Sequence, residues 1–140
     1  MMTAKEFLKQ YENKTRIVNR LKEEYAAEVE MIDAVRSTSN LDGMPHGNGI
    51  RKPVEDRAIR LADKAAAWKI AELDAIEARQ QVFEVIHDVP DIEGDILFER
   101  YINLKHWEEV CVAVHLSWTQ THERHKRALR IIQNRISNTE

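Results

Sequence analysis

Cysteine is almost missing from this chain. Cys111 is the only one in 140 residues, so no disulfide can form within it and the fold must be held by packing. A lone thiol suits a reducing compartment, and the cytoplasm is the expected location. Proline and glycine are also scarce, at three and four. Pro45, Pro53 and Pro90, together with Gly43, Gly47 and Gly49, fall in two short zones, leaving the rest free to run as helix. No apolar run approaches the ~20 residues needed to cross a bilayer. The opening Met1-Met2-Thr3-Ala4-Lys5-Glu6 lacks the apolar core of a signal peptide, so no membrane partner is expected. What the chain has in quantity is Ala, Glu, Arg, Lys, Ile and Leu, all helix formers. These features predict an all-α protein.

Apolar residues recur at three- and four-residue steps in two long stretches. Leu8, Tyr11, Val18, Leu21, Tyr25, Val29, Ile32 and Val35 form one stripe, interrupted at Thr15 and flanked by Lys22 and Glu28. Val54, Ala58, Leu61, Ala65, Trp68, Ala75, Val82 and Ile86 form the other. Between them lies "STSNLDGMPHGNGIRKP", Ser37 to Pro53, where Gly and Asn permit positive φ and proline stops a helix. Pro53 is suited to the first position of the second helix, with Glu55 and Asp56 in its first turn. Residues 1–89 therefore read as a long antiparallel helical hairpin, a coiled-coil element through which the chain could form a homodimer. "HDVPDIEGD" ends it. Residues 90–140 read as a smaller module. In it Asp91 caps a helix from Ile92 to Ile102 with Ile96, Leu97, Tyr101 and Phe98 inward, "NLKH" makes a turn, and helices follow near Trp107–Val114 and Trp118–Ile136.

Net charge is only −3, but it is unevenly spread. From Ser117 to Ile136 stand Arg124, Lys126, Arg127, Arg130 and Arg135 against the single acid Glu123, a local +4 on a body that carries −7. A basic helix on an acidic body suits a localised anionic partner such as phosphate, or else is a solvated face. The helix begins behind a tight corner, His115-Leu116-Ser117, with Ser117 placed to cap it. Thr121, Ala128, Leu129 and Ile132 fall inward by spacing, and Trp118, Thr119, His122, Glu123 and Lys126 fall outward. Two helices about such a corner match the helix-turn-helix, whose second helix enters the major groove.

The stretch "WEEVCVAVHLSWTQTHERHKRALRII" resembles region 4 of bacterial sigma factors. The features it shares are the Trp107-Glu108-Glu109-Val110 opening, the Leu116-Ser117 turn and Arg127-Ala128-Leu129. With "ILFERYINLKHW" before it and "NLDGMPHGNG" in the hairpin link, the chain resembles phage regulators of the RinA/ArpU type. That resemblance implies activation of late phage genes in a bacterial host, with double-stranded DNA as partner. One such module covers only a few base pairs, so specificity would need a homodimer or RNA polymerase as a further partner. The resemblance places Trp118, Thr119, His122 and Glu123 at the DNA. The start of the basic helix adds Ser117 and Gln120 to the expected contacts, and its charge adds Lys126, Arg127 and Arg130, with Lys126 and Arg127 the leading phosphate contacts. Trp118 and Thr119 depart from the usual sigma contacts, so the promoter sequence does not carry over. Nothing resembles the region that grips the polymerase core.

Other chemistries lack their residues. His122 and His125, with His115 nearby, have no Cys or carboxylate to complete a metal set, so no metal is expected. Cys111 has no activating base beside it, and "GMPHGNG" lacks the Lys-Ser/Thr of a phosphate loop. No cofactor and no enzymatic activity are expected. The competing reading is a helical adaptor without DNA affinity, contacting RNA polymerase or a phage packaging component.

Overall fold

The computed structural model describes residues 2–41 and 51–139, with side chains for 2–36 and 55–139. Every regular element among them is helical. These are α1 (Ala4–Leu8), α2 (Gln10–Leu41), α3 (Arg51–Ile86), α4 (Asp91–Leu97), a π-helical turn (Phe98–Ile102), α5 (Trp107–Val114) and α6 (Trp118–Thr139). No helix among them is long and apolar enough to cross a membrane.

α1 starts at a reciprocal cap. The Thr3 hydroxyl accepts from the Glu6 N–H at 3.2 Å, and the Glu6 carboxylate accepts from the Thr3 N–H at 3.1 Å. After Lys9, α2 continues the path, so the single first helix read from the sequence is two segments. The expected link is shorter at both ends, because α2 runs on to Leu41 and α3 begins at Arg51. Pro53 is thus third in α3 rather than first, still within the turn where a missing N–H costs no intrahelical bond. The Gly43–Gly49 loop and the Val54 side chain lie outside the described residues.

The contacts divide the chain into two units. One holds residues 16–73, the other residues 1–15 and 74–140. The boundary read from the sequence at 89/90 therefore falls inside the second unit, because the first helical turns and the end of α3 pack with the C-terminal helices.

In the first unit α2 packs antiparallel on α3. Tyr25 meets Trp68 with ring centroids 5.5 Å apart, and Lys64 reaches Glu28 at 3.5 Å. The expected α2 stripe lies at least half-buried here. Glu28, expected at the flank, is 7 % exposed and makes the Lys64 pair. Ala58, expected on the inner row of α3, is exposed, while Ala71 is buried. Strict three- and four-residue steps drift around a long straight helix, since 3.6 residues per turn does not divide them evenly.

The second unit carries the main core. Ala4 and Leu8 of α1, Val82 and Ile86 of α3, Leu97, Tyr101 and Ile102, and Ala128 and Ile132 of α6 form one cluster, with Phe7, Tyr11 and Leu129 against it. Fully burying each Leu or Ile stabilises by roughly 1.5–3 kcal/mol. α6 touches α1, α4 and α5, and the Gln133 amide oxygen accepts from the Ala4 N–H at 2.8 Å. Pro90, not Asp91, stands at the cap of α4, without a side-chain cap bond. Asp91 takes a left-handed backbone, φ 63°. Phe98, expected inward, is exposed, because the chain widens to a π turn there: the Asn103 N–H donates to the Phe98 carbonyl at 3.0 Å. Gly94 is required by close approach, since a Cβ there would overlap the Val89 carbonyl.

Two substitutions test this account in urea titrations. Gly94→Ala lowers stability by about 1–3 kcal/mol, the cost of overpacking against backbone. His115→Gly raises it by about 1 kcal/mol, because His115 sits at φ 57° where a Cβ is unfavourable.

Candidate nucleic-acid interface

The corner before α6 is a closed hydrogen-bonded turn. His115 is left-handed, the Leu116 N–H donates to the Cys111 carbonyl at 3.2 Å, and the His115 N–H donates to the Val112 carbonyl at 3.3 Å. This paired pattern satisfies the last carbonyls of α5 and reverses the chain in three residues. α6 then opens with its own reciprocal cap. The Ser117 hydroxyl accepts from the Gln120 N–H at 3.2 Å, and the Gln120 amide oxygen accepts from the Ser117 N–H at 3.3 Å. Both residues were read as DNA contacts. Both are exposed, and their side-chain oxygens are engaged in holding the helix start.

Below the cap, α6 sorts by helical spacing. Thr121, His125, Ala128 and Ile132 form the buried row. Thr119, Glu123, Lys126, Arg127 and Arg130 lie on the other side, all exposed. The five cations divide between roles. Arg124 pairs with Glu93 at 3.1 Å, and Arg135 bonds the Val85 carbonyl at 2.7 Å and the Asp88 carboxylate. Burial opposes charge on Glu93, yet its backbone N–H bond and Arg124 hold its carboxyl below the usual range. The hydrogen bond from Arg135 does the same for Asp88. Lys126, Arg127 and Arg130 form no ion pair among the described residues.

A column of rings runs from the core to the start of α6. Tyr101 and His125 share a hydrogen bond of 2.7 Å between hydroxyl and Nε2. His125 meets Trp107 edge-on with centroids 4.5 Å apart, Trp107 meets His122 at 4.6 Å, and His122 meets Trp118 at 4.4 Å. Arg100 lies over Trp107 at 5.6 Å and pairs with Glu12 at 3.4 Å. His122, read from spacing as an outward contact, is instead half-buried between the two indoles with its Nε2 inside. It positions Trp118 rather than facing solvent. Trp118 itself is 55 % exposed and rests on His122.

Sequence reasoning missed Trp107 as the middle of this column, Arg100 as its cationic end and Glu93 as the partner of Arg124. The crowding of aromatic and His residues between Tyr101 and His125 was the available signal. Among the described residues no cluster of three or more His, Cys, Asp or Glu is placed to hold a metal. An open groove of about 840 Å³ lies at the far end of α6, lined by residues that include Phe7, Val85, Asp88, Arg135 and Ile136. None of the exposed cations lines it.

Compared with protein-family models, curated proteins and solved structures, the chain matches none. The chemistry of the site therefore rests on its own geometry. A helix N-terminus, a free cationic row and an exposed, stack-supported indole can take up a polyanion that presents flat groups. They assemble no nucleophile–base pair.

The ring column also carries a pH dependence. Burial, then the neighbouring His122, Lys5 and Arg100, lowers the His125 pKa to about 4, and burial raises that of Tyr101 to about 12. His125 therefore folds as neutral imidazole, whereas an unfolded histidine titrates near ~6.5. Between those values the unfolded chain binds more protons, so stability falls as pH drops from about 6.5 towards 4. The loss is on the order of 3 kcal/mol. His125→Phe should be less stable at neutral pH, because it strands the Tyr101 hydroxyl, but its urea midpoint should stay nearly flat across that window. A midpoint as steep as that of the parent chain would remove His125 as the cause.

Proposed function

We propose that this chain is a DNA-binding transcription regulator in which α5 and α6 form a helix-turn-helix and α6 enters the major groove. The observation that carries the reading is the division of charge on α6. Glu93 and Asp88 neutralise Arg124 and Arg135, while Lys126, Arg127 and Arg130 are left exposed and unpaired among the described residues.

On this reading Thr119 and Glu123 face base edges, Lys126, Arg127 and Arg130 meet phosphates, and Trp118 touches the rim of the groove. Ser117 and Gln120 hold the helix start at the backbone, and His122 acts through Trp118. The resemblance to RinA/ArpU-type phage regulators makes activation of late genes in a bacterial cytoplasm the specific proposal, with RNA polymerase as a second partner. One module covers few base pairs, so useful specificity calls for a homodimer or a polymerase contact.

A second reading, a helical adaptor for RNA polymerase or a phage packaging component, draws on one observation. Val112 on α5 is 74 % exposed, more than any other large apolar residue among those described.

Binding to duplex DNA across a salt series separates the two. Affinity should fall steeply with salt, and Lys126→Ala/Arg127→Ala should reduce the log–log slope by about two, roughly 0.9 per lost phosphate contact. Arg124→Ala should leave the slope nearly unchanged, since that side chain is committed to Glu93. No binding at low salt would sink direct DNA recognition and favour the adaptor.

A further inference from the structure

Among the exposed side chains of α6, Trp118 alone is apolar. Burying an aromatic ring is favourable, yet more than half of this one meets solvent. The place behind it is taken. His122 stands against the indole with ring centroids 4.4 Å apart, and Trp107 backs His122 at 4.6 Å. Arg100 lies over Trp107 and is tied to Glu12, so the foot of the column is held as well. Trp118 is therefore propped outward with apolar carbon free.

The surroundings of the indole narrow what can cover it. Trp118, His122, Lys126 and Arg130 follow one another in steps of four and form one slowly turning row. The row begins with the indole and ends in two exposed cations that make no ion pair among the described residues. A partner for it must offer an apolar group at one end and negative charge along the rest. In duplex DNA met from the major groove, the base faces are stacked out of reach. The apolar group that the base edges present there is the C5-methyl of thymine. That methyl projects from the groove floor beside the backbone of its own strand, so it lies close to phosphates.

We propose that Trp118 selects thymine, its indole covering the C5-methyl of one T·A pair while Lys126 and Arg130 hold backbone phosphates. This rests on the regulator reading above and adds to it the residue that discriminates between bases. His122 is a positioning residue that touches no base and keeps the indole from turning back. A ring already held in place loses little rotamer freedom when it meets its target, so the contact costs little entropy. Thr119 carries the one other exposed methyl in the first turn of α6 and is the competitor for the role.

Duplexes selected by the full chain from a randomised pool, then remade with single thymines replaced by uracil, test this. Uracil pairs as thymine does and lacks only the methyl. At one position or more of the selected site, uracil should weaken binding about fourfold, the value of one buried methyl, without changing the salt slope. Trp118→Ala should bind the thymine and uracil duplexes alike at that position, again with the parent's salt slope and with helicity by circular dichroism unchanged. Trp118→Phe should keep the discrimination in weakened form, and Thr119→Ser should leave it intact. A chain that binds duplex with a steep salt dependence, but is indifferent to uracil everywhere or prefers no sequence, overturns the proposal and leaves the regulator reading standing. Discrimination that survives Trp118→Ala at every position, or that vanishes in Thr119→Ser, overturns it as well. Absence of duplex binding at low salt removes both readings.

Discussion

Seating α6 is the constraint on which the rest of the C-terminal module depends. Its inner row, Thr121, His125, Ala128 and Ile132, is buried against elements drawn from far apart in the chain. Ala128 and Ile132 enter the cluster that Leu8, Val82 and Ile86 also build. Because the rotation of a helix is set by which row it buries, this packing decides which residues face out. The exposed face, Thr119, Glu123, Lys126, Arg127 and Arg130, is the complement of that core.

Polar interactions then refine what the apolar row sets. Arg124 and Arg135 sit at the edges of the buried face, within reach of Glu93 and Asp88, and are drawn into ion pairs. Solvent screens such exposed pairs and they add little stability, so their importance lies in the charge they remove from the surface. The cap formed by Ser117 and Gln120 and the left-handed His115 fix where the helix begins. The ring column from Tyr101 to Trp118 fixes how its first indole stands. An indole already held by stacking loses little conformational freedom on meeting a partner.

The hairpin unit shows the opposite balance. Two long helices pair along one row each, and a two-helix layer leaves most of its area in solvent. Here α3 spends a second apolar row on the outer face.

Much of this was legible in the sequence, for identifiable reasons. Helix periodicity, the scarcity of Gly and Pro, the α2 stripe and the inward set Thr121, Ala128, Leu129 and Ile132 all follow from local spacing, which a helix imposes whatever its surroundings. The Ser117 cap was readable for the same reason, since its bonds span three residues. What spacing could not reach were the decisions made by distant neighbours. Glu28 is buried because Lys64 meets it from α3. His122 is turned inward because Trp107 lies beside it. Phe98 is exposed because the chain widens to a π turn, and Arg124 is removed from the cationic face because Glu93 stands opposite. By itself the sequence determined the helices, their apolar faces and the location of the basic segment. Only the tertiary structure decided which charges stay free and which rings support one another, because those outcomes depend on contacts between segments that no local period encodes.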